Sequence, residues 1–355
     1  MLQSPIRYRP DVEQPQPDEQ ATVTDLNETF DTILERTAED YGHAVRSVHA
    51  KSHGLLEGEL TIDSDLPAEL AQGLFAQGGR HKVLIRLSTN AGDILPDAIG
   101  LPRGLAMKVF DVAGDRLPGS EGTAQDFVMV NGPVFQAKTA EKFLGNLKLL
   151  AKTTDRLKGT KKVVSAALRG VRHAFEAVGA EAPAAINSLG GAPNVEPLGE
   201  TYYSATAFRF GDYIAKFSIA PVAPAMIALS GKEIAIGGRE DAIREDVRTE
   251  MRTLDAEWEF RVQLCRDLEA QPVEDATVLW TSPFVRVGTI RAAAQDSWSD
   301  AHVQQINEET RFSVWTGIAA HQPLGNINRA RRDTYRHSAD FRARVNGCPY
   351  HEPSN

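Results

Sequence analysis

The chain has 355 residues, 42% of them hydrophobic and 25% charged, with a mean hydropathy of −0.31, the proportions of a soluble globular protein. No run approaches the roughly 18–20 apolar residues of a membrane span, and the opening stretch MLQSPIRYRPDVEQPQPDEQ lacks the apolar core of a signal peptide. Lys+Arg total 39 against Asp+Glu 48, a net charge of −9 that argues against general nucleic-acid binding; two cysteines, Cys265 and Cys348, exclude a disulfide framework or a Cys-based zinc site and suit a reducing cytoplasm.

Residues 1–23, rich in Pro, Gln and acid, read as an extended arm, and 24–355 as a single core domain. Phe30, Ile33, Leu34 and Ala38 recur at helical spacing and predict a helix over about 25–40, with Thr24 or Asp25 as its cap. LLEGELTI (55–62), KVLIRLS (82–88) and GLAMKVFDV (104–112) read as strands. Two helices follow, at 142–158 and 163–179, separated by GTKK. A loop rich in Ala, Pro and Gly is expected at 180–200. Lys138, Lys142, Lys148, Lys152, Lys158, Lys161 and Lys162 are spread around these helices rather than along one stripe, which favours a solvated surface over a membrane face.

Strands return at 213–222, 257–265 and 284–292. In EWEFRVQLC, Trp258, Phe260, Val262 and Leu264 alternate with Glu257, Glu259, Arg261 and Gln263, so one face is buried and the other wet. A last helix is predicted near 326–343. Many antiparallel-looking strands with helices in blocks give an α+β class, and a closed barrel with flanking helices fits. The aromatic run TYYSATAFRF around 202–210 reads as packing around that barrel.

The last helix carries a patterned stripe. Arg331 and Tyr335 are four residues apart, and Arg342 is eleven from Arg331, close to three turns, so the three share a face. The stripe is either a basic solvated face or a functional constellation. In the second case the arginine stabilises the tyrosine's anion, and a phenolate is a hard oxygen donor for ferric iron. His49, in VRSVHAKSHG just before a strand, is either a structural histidine or a general base in an apolar pocket.

Four blocks in order make a resemblance specific. RSVHAK (46–51) resembles the distal-histidine segment of haem catalases. IRLSTNAGD (85–93) with PRGLAMKVF (102–110), then VNGPVF (130–135) with Phe143, are similar to the following blocks. RFSVWTGIAAHQPLGNINRARRDTY (311–335) resembles the segment ending in the proximal tyrosine. The resemblance implies an antiparallel β-barrel of catalase type holding haem b. It implies that His49 is the distal base, with Ser88 orienting it. Tyr335 is the implied axial iron ligand, kept ionised by Arg331, and Arg46, Arg86 and Arg342 are implied to hold the haem propionates. Phe135 and Phe143 are implied on the distal side.

The chain departs from the family's pattern in two informative ways. The family's distal asparagine falls on Val130, with Asn131 one position late. The chain is also shorter than ordinary catalases, resembling a minimal core whose dimer or tetramer both stay open. Together these imply a haem peroxidase of the catalase-related type. It would reduce hydrogen peroxide or organic hydroperoxides through a ferryl haem, with an organic electron donor as second substrate. The alternatives are a hydroperoxide-isomerising haem enzyme of the allene oxide synthase kind and a non-enzymatic haem binder.

Overall fold

The computed structural model describes residues 3–154, 191–299 and 302–347. Its strands are β1 (Ser52–Ile62), β2 (Gly79–Thr89), β3 (Arg103–Val109), β4 (Gln125–Val130), β5 (Tyr202–Tyr203), β6 (Phe208–Phe210), β7 (Tyr213–Pro221), β8 (Ala256–Leu264) and β9 (Phe284–Ala292). The helices among the described residues are α1 (Glu19–Tyr41), α2 (Ala140–Thr154), α3 (Pro224–Ile227), α4 (Ala242–Met251), α5 (His302–Glu309) and α6 (Asn326–Asn346). None is long and apolar enough to cross a membrane.

All strand pairings are antiparallel. The sheet runs β5-β4-β3-β2-β1-β9-β8-β7-β6, and β5 also pairs with β7. That pairing closes eight strands into a barrel, with β6 as a flap on β7. The fold is therefore the expected α+β barrel with flanking helices.

Alternation decides what each face meets. On β2 and β3, Val83, Ile85 and Leu87 lie opposite Val109, Met107 and Leu105, all in the barrel core. Phe75, Phe127, Phe217 and Phe260 fill the interior, with Phe127 and Phe260 centroids 4.8 Å apart. Each such ring contributes roughly 1.5–3 kcal/mol by leaving water. On β8 the predicted alternation holds as far as Val262, but Gln263, expected on the wet face, is buried, its Nε2 donating to Trp280 O and Ser282 O. β3 is buried along its whole length because its outer face is covered as well. That outer face, with its neighbours on β2 and β4, is where the candidate site forms.

α1, α2 and α6 make a second core outside the barrel, through Leu26, Phe30, Leu34, Leu144, Ile327 and Phe341. Its keystone is Arg329 at the start of α6, which meets Glu13 at 2.7 Å, Glu19 at 2.6 Å and Glu274 at 2.9 Å. Burial alone would raise the Glu19 pKa, but the hydrogen bonds from Arg329 and Asn326 bring it down to about 2.

Several expectations are revised. The boundary at 23/24 falls inside a helix, since α1 begins at Glu19. The stretch before it is docked along the barrel: Ile6 N donates to Cys265 O and Tyr8 N to Asp212 O, both at 2.8 Å, while Ile6, Tyr8 and Val12 pack beside Val273, Trp280 and Leu324. β4, α4 and α5 were not anticipated. The TYYSATAFRF run forms β5 and β6, and Tyr202, Phe208 and Phe210 are buried in the barrel core. The predicted helix at 163–179, the GTKK turn, Lys158, Lys161, Lys162 and Cys348 lie outside the described residues.

Candidate active site

The site lies between the outer face of β2–β4 and one stripe of α6. Tyr335, Ser338, Ala339 and Arg342 follow the i, i+3, i+4, i+7 spacing, and all four line one cavity. From the barrel come Arg86 and Ser88 of β2, Gly104 and Ala106 of β3, and Val128 of β4. Arg46, Val48 and His49 complete it from the segment before β1. The cavity encloses about 620 Å³, part of it open to solvent. Among the described residues its lining contains no carboxylate.

His49 has a left-handed backbone, φ 54°. A non-glycine residue there is uncommon and is held by its surroundings. His49 N donates to Asn90 O at 3.2 Å and Ala50 N to Ala91 O at 2.9 Å. Its Nδ1 is 3.0 Å from Ser88 Oγ. Ser88 Oγ donates to Gly104 O at 3.5 Å, so its lone pair is left to accept Nδ1–H, and Nε2 is then the basic nitrogen. Burial, then Arg86, Arg331 and Arg46, push the imidazole pKa down to about 3. The ring also explains Gly104: a Cβ there would fall 2.4 Å from His49 Cε1.

On α6, Arg331 Nη2 donates to the Tyr335 oxygen at 2.9 Å, and its guanidinium lies 5.1 Å from the ring centroid. Behind it, Arg331 Nη1 donates to Asn328 Oδ1 at 3.2 Å. Asn328 is fully buried. It accepts from Thr206 Oγ1 at 3.1 Å and donates to Ala207 O at 2.9 Å. The aromatic run therefore holds the site as well as the core: its Thr206 and Ala207 fix Asn328, which fixes Arg331.

Arg46, Arg86 and Arg342 converge on the same cavity. Arg86 and Arg342 are buried. Burial, then Arg342 and Arg86, pull the Arg46 pKa well down; burial, then Arg342, bring Arg86 to about 9. A guanidinium keeps its proton in a protein, so this registers as the cost of burying positive charge, increased by the like charges beside it, which an anion would relieve. Asn307 and Thr310 hold this group and carry no periodic signal in the sequence. Arg311 and Phe312 also line the cavity. They sit on a segment tied to β4 by Asp126, which meets Lys108 at 2.8 Å and accepts from Ser313 N at 2.9 Å.

The structure brings six of the eight expected cofactor residues together with His49 and leaves the two phenylalanines apart. Arg46, Arg86, Ser88, Tyr335 and Arg342 line the cavity with His49, and Arg331 stands directly behind Tyr335. Phe135 and Phe143 do not line it. Their rings, 5.6 Å apart and tilted 50°, pack on the α1–α2–α6 core together with Val48. Val130 and Asn131, the two residues at the family's distal-asparagine position, both lie outside the cavity lining. Asn131 Oδ1 accepts from Arg103 N at 2.9 Å and its Nδ2 donates to Glu200 at 2.8 Å, so its amide is engaged away from the cavity. Val130 pairs with Gly104 and shares the face of Val128.

Tyr335 is the oxygen donor here that could bind a metal, and the three arginines could receive two carboxylates. Among the described residues no group of three or more His, Cys, Asp or Glu could hold a bare ion.

No family model and no curated protein matches this chain. Solved structures do. A fungal catalase matches with a TM-score of 0.59 at 18% identity, over 87% of this chain and 62% of its own. Catalase A from Saccharomyces cerevisiae matches with a TM-score of 0.58 at 17% identity, over 98% of this chain and 70% of its own. A bacterial catalase gives 0.55 at 17% identity, over 98% and 66%. The chain thus spans 62% of the length of that fungal catalase. The fold is catalase-like.

Proposed function

We propose that this catalase-like barrel binds haem b and acts as a peroxidase, reducing hydrogen peroxide or organic hydroperoxides with an organic electron donor. One observation carries the reading: the Arg331–Tyr335 pair and the His49–Ser88 pair open into one cavity that Arg46, Arg86 and Arg342 also line.

The residues present fit the group. Tyr335 would hold the iron, because a guanidinium N–H donated to its oxygen favours the oxyanion that binds ferric iron. Arg46, Arg86 and Arg342 would take the two propionates, anions that offset their burial and their mutual repulsion. Haem, when bound, supplies a ferric centre for the peroxide oxygen and for storing oxidising equivalents.

The chain's own part is proton management. His49 Nε2, held by Ser88, takes the proton from the peroxide and returns it to the leaving oxygen. Ala106 and Val128 make that wall apolar, and Asn131 is engaged elsewhere. An apolar wall without a second hydrogen-bond donor favours oxidation of an organic donor over rapid dismutation. Dimer or tetramer formation is the expected assembly and is read by light scattering.

The test is an absorption spectrum of the haem-loaded protein before and after peroxide, with turnover of a phenolic donor followed in parallel. The expected result is haem uptake, a peroxide-dependent change and donor oxidation, with an altered spectrum in Tyr335→Phe and turnover lost in His49→Ala. An unchanged Tyr335→Phe spectrum would overturn the ligand assignment. Rapid dismutation without donor oxidation would overturn the reaction. Product formed without any reductant would point to hydroperoxide isomerisation instead.

A further inference from the structure

Two arginines of the cavity, Arg46 and Arg86, lie within reach of a carboxylate they do not pair with. Among the described residues Glu308, exposed near the end of α5, is the acidic group whose charge acts on both Arg46 and Arg86. Buried guanidiniums ordinarily close onto such a neighbour. Among the described residues neither makes an ion pair with it.

Asn307 stands between them and is itself only 7% exposed. Its Oδ1 accepts from Arg86 Nε at 2.8 Å and faces Arg46 Nη1 at 3.5 Å. Its Nδ2 donates to Glu308 Oε1 at 3.0 Å. The carbonyl oxygens of Asn307 and Thr310 take Arg46 Nη2, the latter at 2.9 Å. The donors fix which way the amide faces. Turned over, its NH₂ would confront guanidinium N–H groups.

We infer that Asn307 is a positioning residue, a neutral spacer that anchors Arg46 and Arg86 while holding the Glu308 carboxylate away from them, so that their charge stays available to the carboxylates of a bound ligand. The identity of that ligand rests on the haem reading. The spacer works because it is both an acceptor and uncharged. A carboxylate at 307 would satisfy the same donors and cancel their charge. A side chain without the amide would release Glu308 to close on the arginines.

The experiment titrates haemin, and haemin dimethyl ester with its propionates masked, into four proteins and reads affinity by absorbance. The proteins are the wild type, Asn307→Asp, Asn307→Ala, and Asn307→Ala combined with Glu308→Gln. Both single variants should lose about tenfold or more in haemin affinity, with the weaker binding of the ester unchanged. Glu308→Gln should bring Asn307→Ala back to within about threefold of wild type. A purely structural role for Asn307 would not be rescued in this way. The near-isosteric Asn307→Asp keeps the question open to an answer if Asn307→Ala fails to fold, as circular dichroism will show. Wild-type affinity in Asn307→Asp, or no rescue by Glu308→Gln in a folded Asn307→Ala, overturns the inference and leaves the haem reading standing. A wild type that binds no haemin overturns that reading, and the ligand assignment with it.

Discussion

His49 combines a left-handed backbone, a serine partner and a pKa pushed down to about 3. Bound propionates would neutralise part of the arginine field, but burial, the largest cause, would remain. The imidazole is then neutral well below the ordinary histidine range, and acidification does not protonate it until far below pH 6.5. On the proposed function, kcat/KM for peroxide should stay level from pH 7 to pH 5 while the protein is folded. A steady-state profile falling with a midpoint near 6.5 would contradict this. Gly104 gives a second handle at the same ring. In Gly104→Ala the new Cβ must displace the imidazole, so peroxide turnover should fall by about tenfold or more with little change in haem uptake, a loss worth roughly 1.4 kcal/mol of barrier. The sequence showed this residue chemistry unevenly. Arg331, Tyr335 and Arg342 stand out because a helix repeats on a period. Asn307 and Asn328 did not, because one neutral amide looks like any other until its partners, far away in sequence, are known.

At the scale of elements, the register of α6 decides where Tyr335 points, and that register is pinned at the helix start. Gly325 supplies a φ of 86°, with Val273 O only 2.4 Å from where a Cβ would lie. Asn326 accepts from Ala140 N and donates to Glu19, joining α6 to α2 and α1. Arg329 gathers Glu13, Glu19 and Glu274. Arg329→Ala leaves three carboxylates facing one another at a half-screened site, so the destabilisation should be about 2 kcal/mol, below the full buried-pair value. Chemical denaturation measures it, and limited proteolysis should show earlier cutting near residue 13. The long helices were legible from spacing. β4 was not, because QDFVMV is buried or half-buried on both faces and its aspartate reads as a turn residue until it meets Lys108. β5 and β6 are too short for any alternation to register.

For the molecule as a whole, buried histidines set the response to acid. Burial pushes His49 and His321 down to about 3 and His53 well below its usual value. The folded state therefore refuses protons that the unfolded chain accepts below pH 6.5. Stability is fully present above that value and is lost as pH falls from about 6.5 towards 3, at up to about 1.4 kcal/mol per pH unit for each histidine. Burial raises Glu196 to about 8 and Glu200 to about 7, and these oppose the trend because the folded state binds their protons more tightly. A single variant isolates one contribution. His321, stacked on Phe210 and accepting from Leu74 N at 2.9 Å, sits in the aromatic barrel core. His321→Gln should lower Tm at neutral pH, yet show a shallower fall in Tm between pH 6 and pH 4 than wild type. A parallel fall would exclude His321 as a source of the acid sensitivity.

The barrel is two curved plates joined along two narrow seams. β1–β4 form one continuous meander and β7–β9 the other. One seam is the β1–β9 contact from Glu59 to Ile62; the other is the two-residue β5, which meets β4 through the single pair Val130–Tyr203. The first plate is assembled from neighbouring hairpins, whereas the seams join distant stretches of chain, so local contacts favour early formation of that plate. It already carries Arg86, Ser88, Gly104, Ala106 and Val128, one wall of the cavity, while α6 with Tyr335 belongs to a much later stretch of chain. During folding that wall stands uncovered, apolar and cationic at once, and α6 is the lid that must find it before another surface does.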